Sequence, residues 1–160
     1  MLIVESTNFE IIASLIAESP ALVRPPSARA LRIMHRAGAV FLLALYDSYA
    51  VGVVCIKKLN FFLSEMKYLY VKPEYRRRGI GRKLVAKGLD IIDDRFKTPV
   101  VVCTAVVTNI SALALFTSFR FRVIASFRSP VSERRIMLLV RNIHEVAPAP
   151  EEEEGLILEV

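Results

Sequence analysis

The sequence has no tryptophan and only two cysteines and two histidines among its 160 residues, so it is poor in the side chains that bind transition metals. Cys55 and Cys103 both lie in valine-rich runs without zinc-ligand spacing, and we expect buried, unpaired thiols there. His35 and His144 have no acidic or cysteine partner pattern around them, which favours solvated or structural roles. The sequence therefore predicts no metal site.

The sequence also lacks an uninterrupted apolar run long enough to cross a membrane. Its most apolar region, residues 37–56, is broken by Asp47, Ser48 and Gly52 and alternates as two strands. The basic start and cleavage site of a signal peptide are absent as well. We expect a cytoplasmic protein that does not bind membranes.

Negative charge is scarce in the first 142 residues, which carry 22 basic and 10 acidic side chains, a net charge of +12. The remaining residues carry six acids and no lysine or arginine. We therefore expect one domain over residues 1–142, then a Pro- and Glu-rich linker with a short apolar end over residues 143–160. A basic body can attract nucleic acid, but no aromatic-studded basic strand or recognition helix is evident, so a nucleic-acid partner is not expected.

Hydrophobic periodicity predicts an α/β domain on a mixed sheet, antiparallel early and parallel around the third helix. The first helix is expected to start with a capping box, in which the Thr7 hydroxyl accepts from the Glu10 amide. Strands are predicted at residues 2–4, 40–46, 49–56, 65–71, 99–103, 121–127 and 134–140, and helices after residues 7, 27, 79 and 109.

Glycine is scarce too, yet two of the six glycines, Gly79 and Gly81, fall in one turn between a strand and a helix. Such a turn presents several N–H groups at the positive end of a helix dipole, which suits a phosphate group. The sequence matches neither the P-loop nor the dinucleotide fingerprint, since position 84 is leucine. The glycines can also serve only to shape the turn. Five basic residues surround it: Arg76, Arg77, Arg78, Arg82 and Lys83.

Two motifs resemble the GNAT superfamily of acyl-CoA-dependent N-acyltransferases. The family signature (Gln/Arg)-x-x-Gly-x-(Gly/Ala) is met by Arg76, Gly79 and Gly81, directly after a predicted strand. Downstream, residues 109–116 resemble the family's Asn-x-x-Ala-x-x-Leu-Tyr helix. The resemblance implies a mixed, mostly antiparallel sheet of about seven strands flanked by four helices.

The resemblance also implies a reaction: an acetyl group passes from acetyl-CoA to a primary amine by direct attack in a ternary complex. The acceptor is a protein N-terminus, a lysine or a small amine, no metal is needed, and a homodimer is an allowed assembly. The pyrophosphate is expected on the signature turn, and the pantetheine beside the preceding strand. The implied cofactor-binding residues are Leu69, Tyr70, Val71, Arg76, Arg77, Arg78, Gly79, Ile80, Gly81, Arg82, Asn109 and Phe116.

Two candidate catalytic residues lie on the strand before the signature. The Leu69 amide matches the donor that polarises the thioester carbonyl, and Glu65 lies where some family members carry a glutamate base. Strand alternation predicts that both point to the same face. The alternative for Glu65 is a surface ion pair with Lys67.

Phe116 departs from the family pattern, because many members have a tyrosine there that protonates the leaving thiolate. The thiolate can leave unassisted, since a thiol pKa near 8.5 makes a fair leaving group, or Tyr68, Tyr70 or Ser118 can substitute. The remaining alternative is a CoA-binding module with little or no catalysis. Arg120 replaces the family's usual helix-ending glycine.

The resemblance places the acceptor site between the first two helices and the final hairpin. If the basic residues there face the site, they favour an acceptor with an acidic group near its amine. These residues are Arg24, Arg29, Arg32, His35, Arg36, Arg128, Arg134 and Arg135.

Overall fold

The computed structural model describes residues 1–144. Residues 145–160, which hold nearly all of the expected linker and apolar end, lie outside that range. Within it the chain forms seven strands and four α-helices. In chain order they are β1 (Leu2–Glu5), α1 (Phe9–Ala17), α2 (Ala28–Arg36), β2 (Val40–Tyr46), β3 (Tyr49–Lys58), β4 (Leu63–Val71), α3 (Ile80–Ile91), β5 (Val100–Val106), α4 (Ile110–Ser118), β6 (Arg122–Arg128) and β7 (Arg135–Asn142).

The strands form one sheet in the order β1-β2-β3-β4-β5-β7-β6. Every neighbouring pair is antiparallel except β4 and β5, which the connection through α3 makes parallel. The predicted fold class is therefore confirmed, including the position of the parallel pair.

The sheet separates two apolar cores. Helices α3 and α4 cover one face, where Leu84 and Phe121 are almost completely buried. Helices α1 and α2 cover the other, where Ile12 and Leu31 are fully buried. Each face of β3 is thus covered by helix, which explains why residues 51–56 form an unbroken apolar and glycine run.

The predicted capping box at Thr7 is wrong. Helix α1 begins one residue later, with Asn8 as N-cap and its Oδ1 accepting from the Ile11 amide at 3.3 Å. Glu10 therefore occupies the second helical position, from which it cannot close a box with Thr7. Asparagine is a strong N-cap, and this start places Phe9 in the core beneath α1.

The two cysteines are free and buried, as predicted. Burial raises the pKa of both thiols, Cys55 and Cys103, to about 12. At neutral pH both are neutral, inert core side chains. Of the helices within residues 1–144, none has the length and apolar character that a bilayer crossing requires.

Candidate functional site

The sheet opens between its two parallel strands. Strand β4 pairs with β5 only at Leu63–Glu65 against residues 100–102, among the residues described. Beyond this point β4 continues beside β3 to Val71, while β5 continues beside β7 to Val106. The two strands therefore leave a cleft in the middle of the sheet, lined by main-chain groups without a partner strand, and Glu65 lies at its closed end.

A β-bulge lies on β4 where it lines this cleft. Lys67 is opposite Cys55 and Tyr70 is opposite Val53, so three residue steps of β4 match two of β3. Tyr68 accommodates the extra residue with a left-handed φ of 59°. The bulge reverses the inward and outward alternation of the strand.

The bulge makes one expectation wrong: Glu65 and Leu69 do not share a face. Glu65 follows the alternation of Cys55, whose side chain lies in the core under α1 and α2. Leu69 packs against the opposite core, under α3 and α4. The candidate base and the candidate oxyanion donor are thus on one strand, but their side chains point to opposite sides of the sheet.

The signature turn follows the open end of this cleft. Gly79 is the N-cap of α3, with a left-handed φ of 77°, and Arg77 is also left-handed with φ 64°. No main-chain acceptor among residues 1–144 pairs with the N–H groups of residues 77–82, and Lys83 makes the first helical bond, to the Gly79 carbonyl. These free donors at a helix start suit the negative charge of a phosphate.

Gly81 serves close packing between α3 and α4. A Cβ added there would lie 3.3 Å from Leu115 Cδ2, so the absence of a side chain lets the two helix segments approach. The second motif therefore lies beside the first, across the cleft. Its Asn109 is the N-cap of α4, with Oδ1 accepting from the Ala112 amide at 3.2 Å.

The arginines around the turn are held by the protein itself. Arg76 donates from Nε to the Val71 carbonyl at 2.9 Å, and its guanidinium lies 5.6 Å from the ring centre of Tyr70. The Arg78 guanidinium lies 5.2 Å from the ring centre of Tyr75 and 5.5 Å from that of Tyr46. These contacts fix positive charge next to the free N–H groups while leaving the guanidinium edges open to an anion.

Arg82 makes the same kind of contact, with its guanidinium 5.4 Å from the ring centre of Phe119 at the end of α4. Ile80, by contrast, is a core residue with 2% of its surface exposed. Its main chain belongs to the turn, and its side chain anchors the turn to the sheet.

Phe116 is also a core residue. Its side chain is 4% exposed and packs edge-on against Phe121, with ring centres 5.2 Å apart. Two of the candidate substitutes for a tyrosine acid have other contacts: Ser118 donates to the Leu115 carbonyl at 2.6 Å, and Tyr70 is buried beneath α1 and α2. Burial raises the pKa of Tyr70, with a further contribution from Glu18.

Glu65 is about one third exposed and lies 3.5 Å from Lys67 Nζ. The two side chains share a strand face, two residues apart. A carboxylate at the closed end of a cleft can accept a proton from a bound amine.

The basic residues expected around the acceptor site do not converge. Arg32 and His35 both contact the Phe9 ring, and His35 also hydrogen-bonds the Ala39 carbonyl at 3.0 Å. Arg128 and Arg135 lie opposite each other in the β6–β7 pair. Arg135 is four residues from Leu139 on β7, so both point to the face of the sheet that α3 and α4 cover. Arg24, Arg29 and Arg36 are exposed.

One of these arginines does join the two elements that flank the site. Arg134 Nη1 donates to the Pro20 carbonyl at 3.0 Å and so ties the β6–β7 loop to the α1–α2 loop. The sequence motifs contain no signal for this bond, because it links two loops more than a hundred residues apart.

Sequence reasoning also missed an open cavity of about 260 Å³ between α1 and the end of β4. Its wall includes Glu10, Ser14 and Glu18, and Glu18 pairs with Lys72 at 3.4 Å. The four-residue spacing of these three side chains, which lie on α1 and its C-cap, is the signal that could have found the cavity, since it places them on one helix face.

Comparison with known proteins gives the same fold. The putative acetyltransferase YncA from Salmonella typhimurium, solved with its cofactor acetyl-CoA, is 18% identical over 93% of this chain and 97% of that chain, with a TM-score of 0.73. The ribosomal-protein-S18-alanine N-acetyltransferase from Escherichia coli is 16% identical over 91% of this chain and 95% of that chain, with a TM-score of 0.74. NAA60 from Arabidopsis thaliana, bound to a bisubstrate analogue, is 15% identical over 91% of this chain and 100% of that chain, with a TM-score of 0.75. No curated protein matches the chain with significant similarity.

A match to a protein-family sequence model shows the family to which the chain belongs, which similarity of fold alone does not show. The model described as the acetyltransferase (GNAT) family matches residues 9–121, a range that contains the signature turn, the cleft and α4. The chain therefore belongs to the acetyltransferase (GNAT) family, as its two motifs predicted, and is a GNAT-type acetyltransferase.

Proposed function

We propose that the protein transfers an acetyl group from acetyl-CoA to a primary amine, by direct attack of the amine in a ternary complex. The observation that carries the proposal is the row of free N–H groups at residues 77–82, placed at the open end of the β4–β5 cleft. A phosphate-binding helix start and a cleft with unpaired strand edges together suit a long ligand with a phosphate end and an amide-rich arm.

The residues of the turn fit the donor. The N–H groups of residues 77–82 bind the pyrophosphate, and Arg78 and Arg82 add fixed positive charge beside them. The unpaired edge of β4 at residues 69–71 pairs with the pantetheine amides as a strand would. When bound, acetyl-CoA supplies a thioester whose carbonyl carbon the acceptor amine attacks.

Two residues of β4 divide the chemistry, one through its main chain and one through its side chain. The Leu69 amide donates to the thioester oxygen, where negative charge develops; one such donor contributes about 2.7–4 kcal/mol in other enzymes. Glu65 projects toward the α1–α2 side, so it lies on the side from which the amine enters. It accepts the proton of the attacking amine, directly or through one water.

The chain has no tyrosine acid at position 116, so the leaving thiolate departs without protonation from this residue. A thiol with a pKa near 8.5 leaves well enough for this route. The acceptor is a protein N-terminus, a lysine side chain or a small amine. One similar structure supports the first class, since by name it acts on a ribosomal-protein alanine.

An assay of thiol release tests the proposal. Acetyl-CoA is mixed with the protein and a panel of N-terminal peptides, lysine peptides, polyamines and aminoglycosides, and free CoA thiol is measured. We expect acceptor-dependent release with at least one class. Silence across the panel, beside clear thermal stabilisation by CoA, would instead favour the second candidate.

That second candidate is a CoA-binding module of the same fold with little or no catalysis. The observation in its favour is Phe116, a buried core residue in place of a proton donor. It predicts binding without turnover for every acceptor tested. Clear turnover of the same acyl-CoA donors that bind to the protein would exclude this candidate.

A further inference from the structure

Strands β5, β7 and β6 form the half of the sheet beyond the cleft, and within residues 1–144 helices cover only one face of this half. On the covered face, Val101, Cys103 and Leu139 are buried in the core under α3 and α4. The core under α1 and α2 takes its strand residues from the other half, and among the residues described it includes none from β5, β6 or β7. We call this second, uncovered side of β5, β7 and β6 the open face.

The open face is mostly apolar. The register of the three strands and the alternation of their side chains place six apolar residues on it: Val102, Val106, Ile136, Leu138, Val140 and Phe127. The first five are half-buried, and Phe127 is 43% exposed. Thr104 lies among them, and Arg122 and Asn142 lie at one end. A contiguous apolar patch that is open to solvent is typical of a binding site.

The open face is continuous with the candidate base. Glu65 pairs in register with Val102, and Val102 pairs with Val140, so the three side chains form one row on the same side of the sheet. Neighbouring strands are about 4.8 Å apart, so Val102 is one strand spacing from Glu65 and Val140 is two. A side chain on the carbon that bears the attacking amine is therefore long enough to lie on this row.

Two loops bound the open face where the cleft opens. The α1–α2 loop begins near the end of β4, since Glu18 at the end of α1 pairs with Lys72. The β6–β7 loop lies near the end of β5, because the start of β7 pairs with Val106. The hydrogen bond from Arg134 to the Pro20 carbonyl joins these loops on the α1–α2 side. The open face is thus one wall of a recess that has the α1–α2 layer on its other side.

The chemistry of the recess favours an apolar group over a charged one. Three of the arginines that could have bound an acidic group are engaged or point elsewhere: Arg32 lies over Phe9, Arg134 bonds Pro20, and Arg135 points to the covered face. A charged side chain on the apolar residues of the open face would lose part of its hydration without gaining a partner, which is unfavourable. An aliphatic or aromatic side chain would gain from the same burial.

We propose that the acceptor carries a large aliphatic or aromatic side chain on the carbon that bears its primary amine, and that this side chain packs on Val102, Leu138 and Val140 of the open face. The inference rests on the proposed acetyl transfer and names the class of its acceptor. It replaces the expectation of an acidic group near the amine, and it excludes lysine side chains as the preferred acceptor.

Bisubstrate conjugates test the proposal without turnover. In each, the CoA sulfur is joined through an acetyl bridge to the α-amine of an amino-acid amide, which is that of leucine, alanine, aspartate or lysine. Calorimetric titration of the full chain should find the leucine conjugate bound about tenfold more tightly than the alanine conjugate, because its larger side chain buries more apolar surface. The aspartate and lysine conjugates should bind no more tightly than the alanine conjugate.

The outcomes separate this inference from the proposed function. Equal affinities of all four conjugates, beside clear binding of CoA itself, would overturn the apolar acceptor and leave the donor site intact. So would a tighter aspartate or lysine conjugate. A preference for leucine that falls as protein concentration rises would also overturn it, because a second copy would then cover the open face. Binding of neither CoA nor any conjugate would contradict the proposed function as well.

A pair of variants assigns the preference to the open face. Leu138→Thr should reduce the leucine-over-alanine preference at least about threefold, because it removes apolar surface from the face, and CoA affinity should stay unchanged. Val123→Thr is the control, since Val123 is exposed and lies opposite Leu139, on the other face of the sheet. We expect it to keep the full preference. A full preference in Leu138→Thr, or equal losses in the two variants, would contradict the assignment.

Discussion

Arg76 donates a hydrogen bond from Nε to the carbonyl oxygen of Val71, at 2.9 Å. The bond joins the first residue of the signature to the last residue of β4, so it fixes the turn relative to the cleft. The guanidinium also lies over the Tyr70 ring. The signature arginine thus acts here as a brace between strand and turn, and its side chain need not touch the phosphates.

Arg76→Ala should therefore weaken acetyl-CoA binding and lower the free energy of unfolding by about 1 kcal/mol, the typical net contribution of one hydrogen bond. Arg77→Ala is the control, since Arg77 is exposed on the same turn and no hydrogen bond or ring contact of its side chain is seen within residues 1–144. Its unfolding energy should change by less than about 0.5 kcal/mol. Equal losses in the two variants, measured by denaturant unfolding, would show that Arg76 braces nothing.

Gly79→Ala tests the turn. A Cβ at Gly79 meets nothing within 4 Å, but the left-handed φ of 77° is strained for alanine, so the cost in stability should be about 1 kcal/mol. Gly38→Ala carries the same kind of strain, with φ 103° in the loop between α2 and β2. Calorimetric titration should find weaker acetyl-CoA binding in the first variant alone; a similar loss in the second would mean that strain, and not the turn, controls binding.

Glu65→Gln should lower kcat by about 10²- to 10⁴-fold with little change in acetyl-CoA affinity, because a general base contributes to that extent and the amide cannot accept the proton. Lys67→Met separates this role from that of a surface ion pair, since it breaks the same 3.5 Å contact and keeps the carboxylate. We expect Lys67→Met to retain most of the activity. Comparable losses of kcat in the two variants would leave Glu65 as an ion-pair partner only.

Arg120→Gly should stabilise the protein. Arg120 ends α4 with φ 69°, where the family motif has glycine and where an L side chain is strained. The expected gain is about 0.5–1 kcal/mol, after the larger entropy of glycine in the unfolded chain is deducted. Arg120→Ala keeps the strain and removes only the side chain, so a glycine variant no more stable than the alanine variant would refute this explanation.

The buried thiols should not react in the native protein. With pKa values near 12, Cys55 and Cys103 have almost no thiolate at pH 8. A thiol reagent should label neither cysteine until the protein unfolds, and then both. Rapid labelling of the folded protein would contradict their burial and would also add background to a thiol-release assay.

The sequence predicted the fold class and identified the two motifs because both follow from local signals. Asn109 caps α4 and Gly79 shapes the turn, and each residue type is suited to its backbone position. The bulge at Tyr68 has no such signal, since tyrosine is unremarkable in a strand. Simple alternation therefore placed Glu65 and Leu69 on one face, and only the register against β3 separates them.

The acceptor side was harder to predict for a different reason. Composition shows that arginines are abundant in α2 and the final hairpin, but not what each one contacts. Arg32 lies over Phe9, Arg134 bonds the Pro20 carbonyl, and Arg135 donates to Ser126 Oγ at 3.1 Å. Because each of these contacts joins two different elements, the predicted basic lining could only be assessed in the folded chain.

A crystal structure with bound CoA tests the central claim most directly. The account predicts the pyrophosphate within hydrogen-bond distance of the N–H groups of residues 77–82, the pantetheine arm along residues 69–71 in the β4–β5 cleft, and the sulfur between Leu69 and Phe116. CoA bound elsewhere, for instance in the cavity beside Glu18, or a cleft that stays empty at saturating CoA, would contradict it.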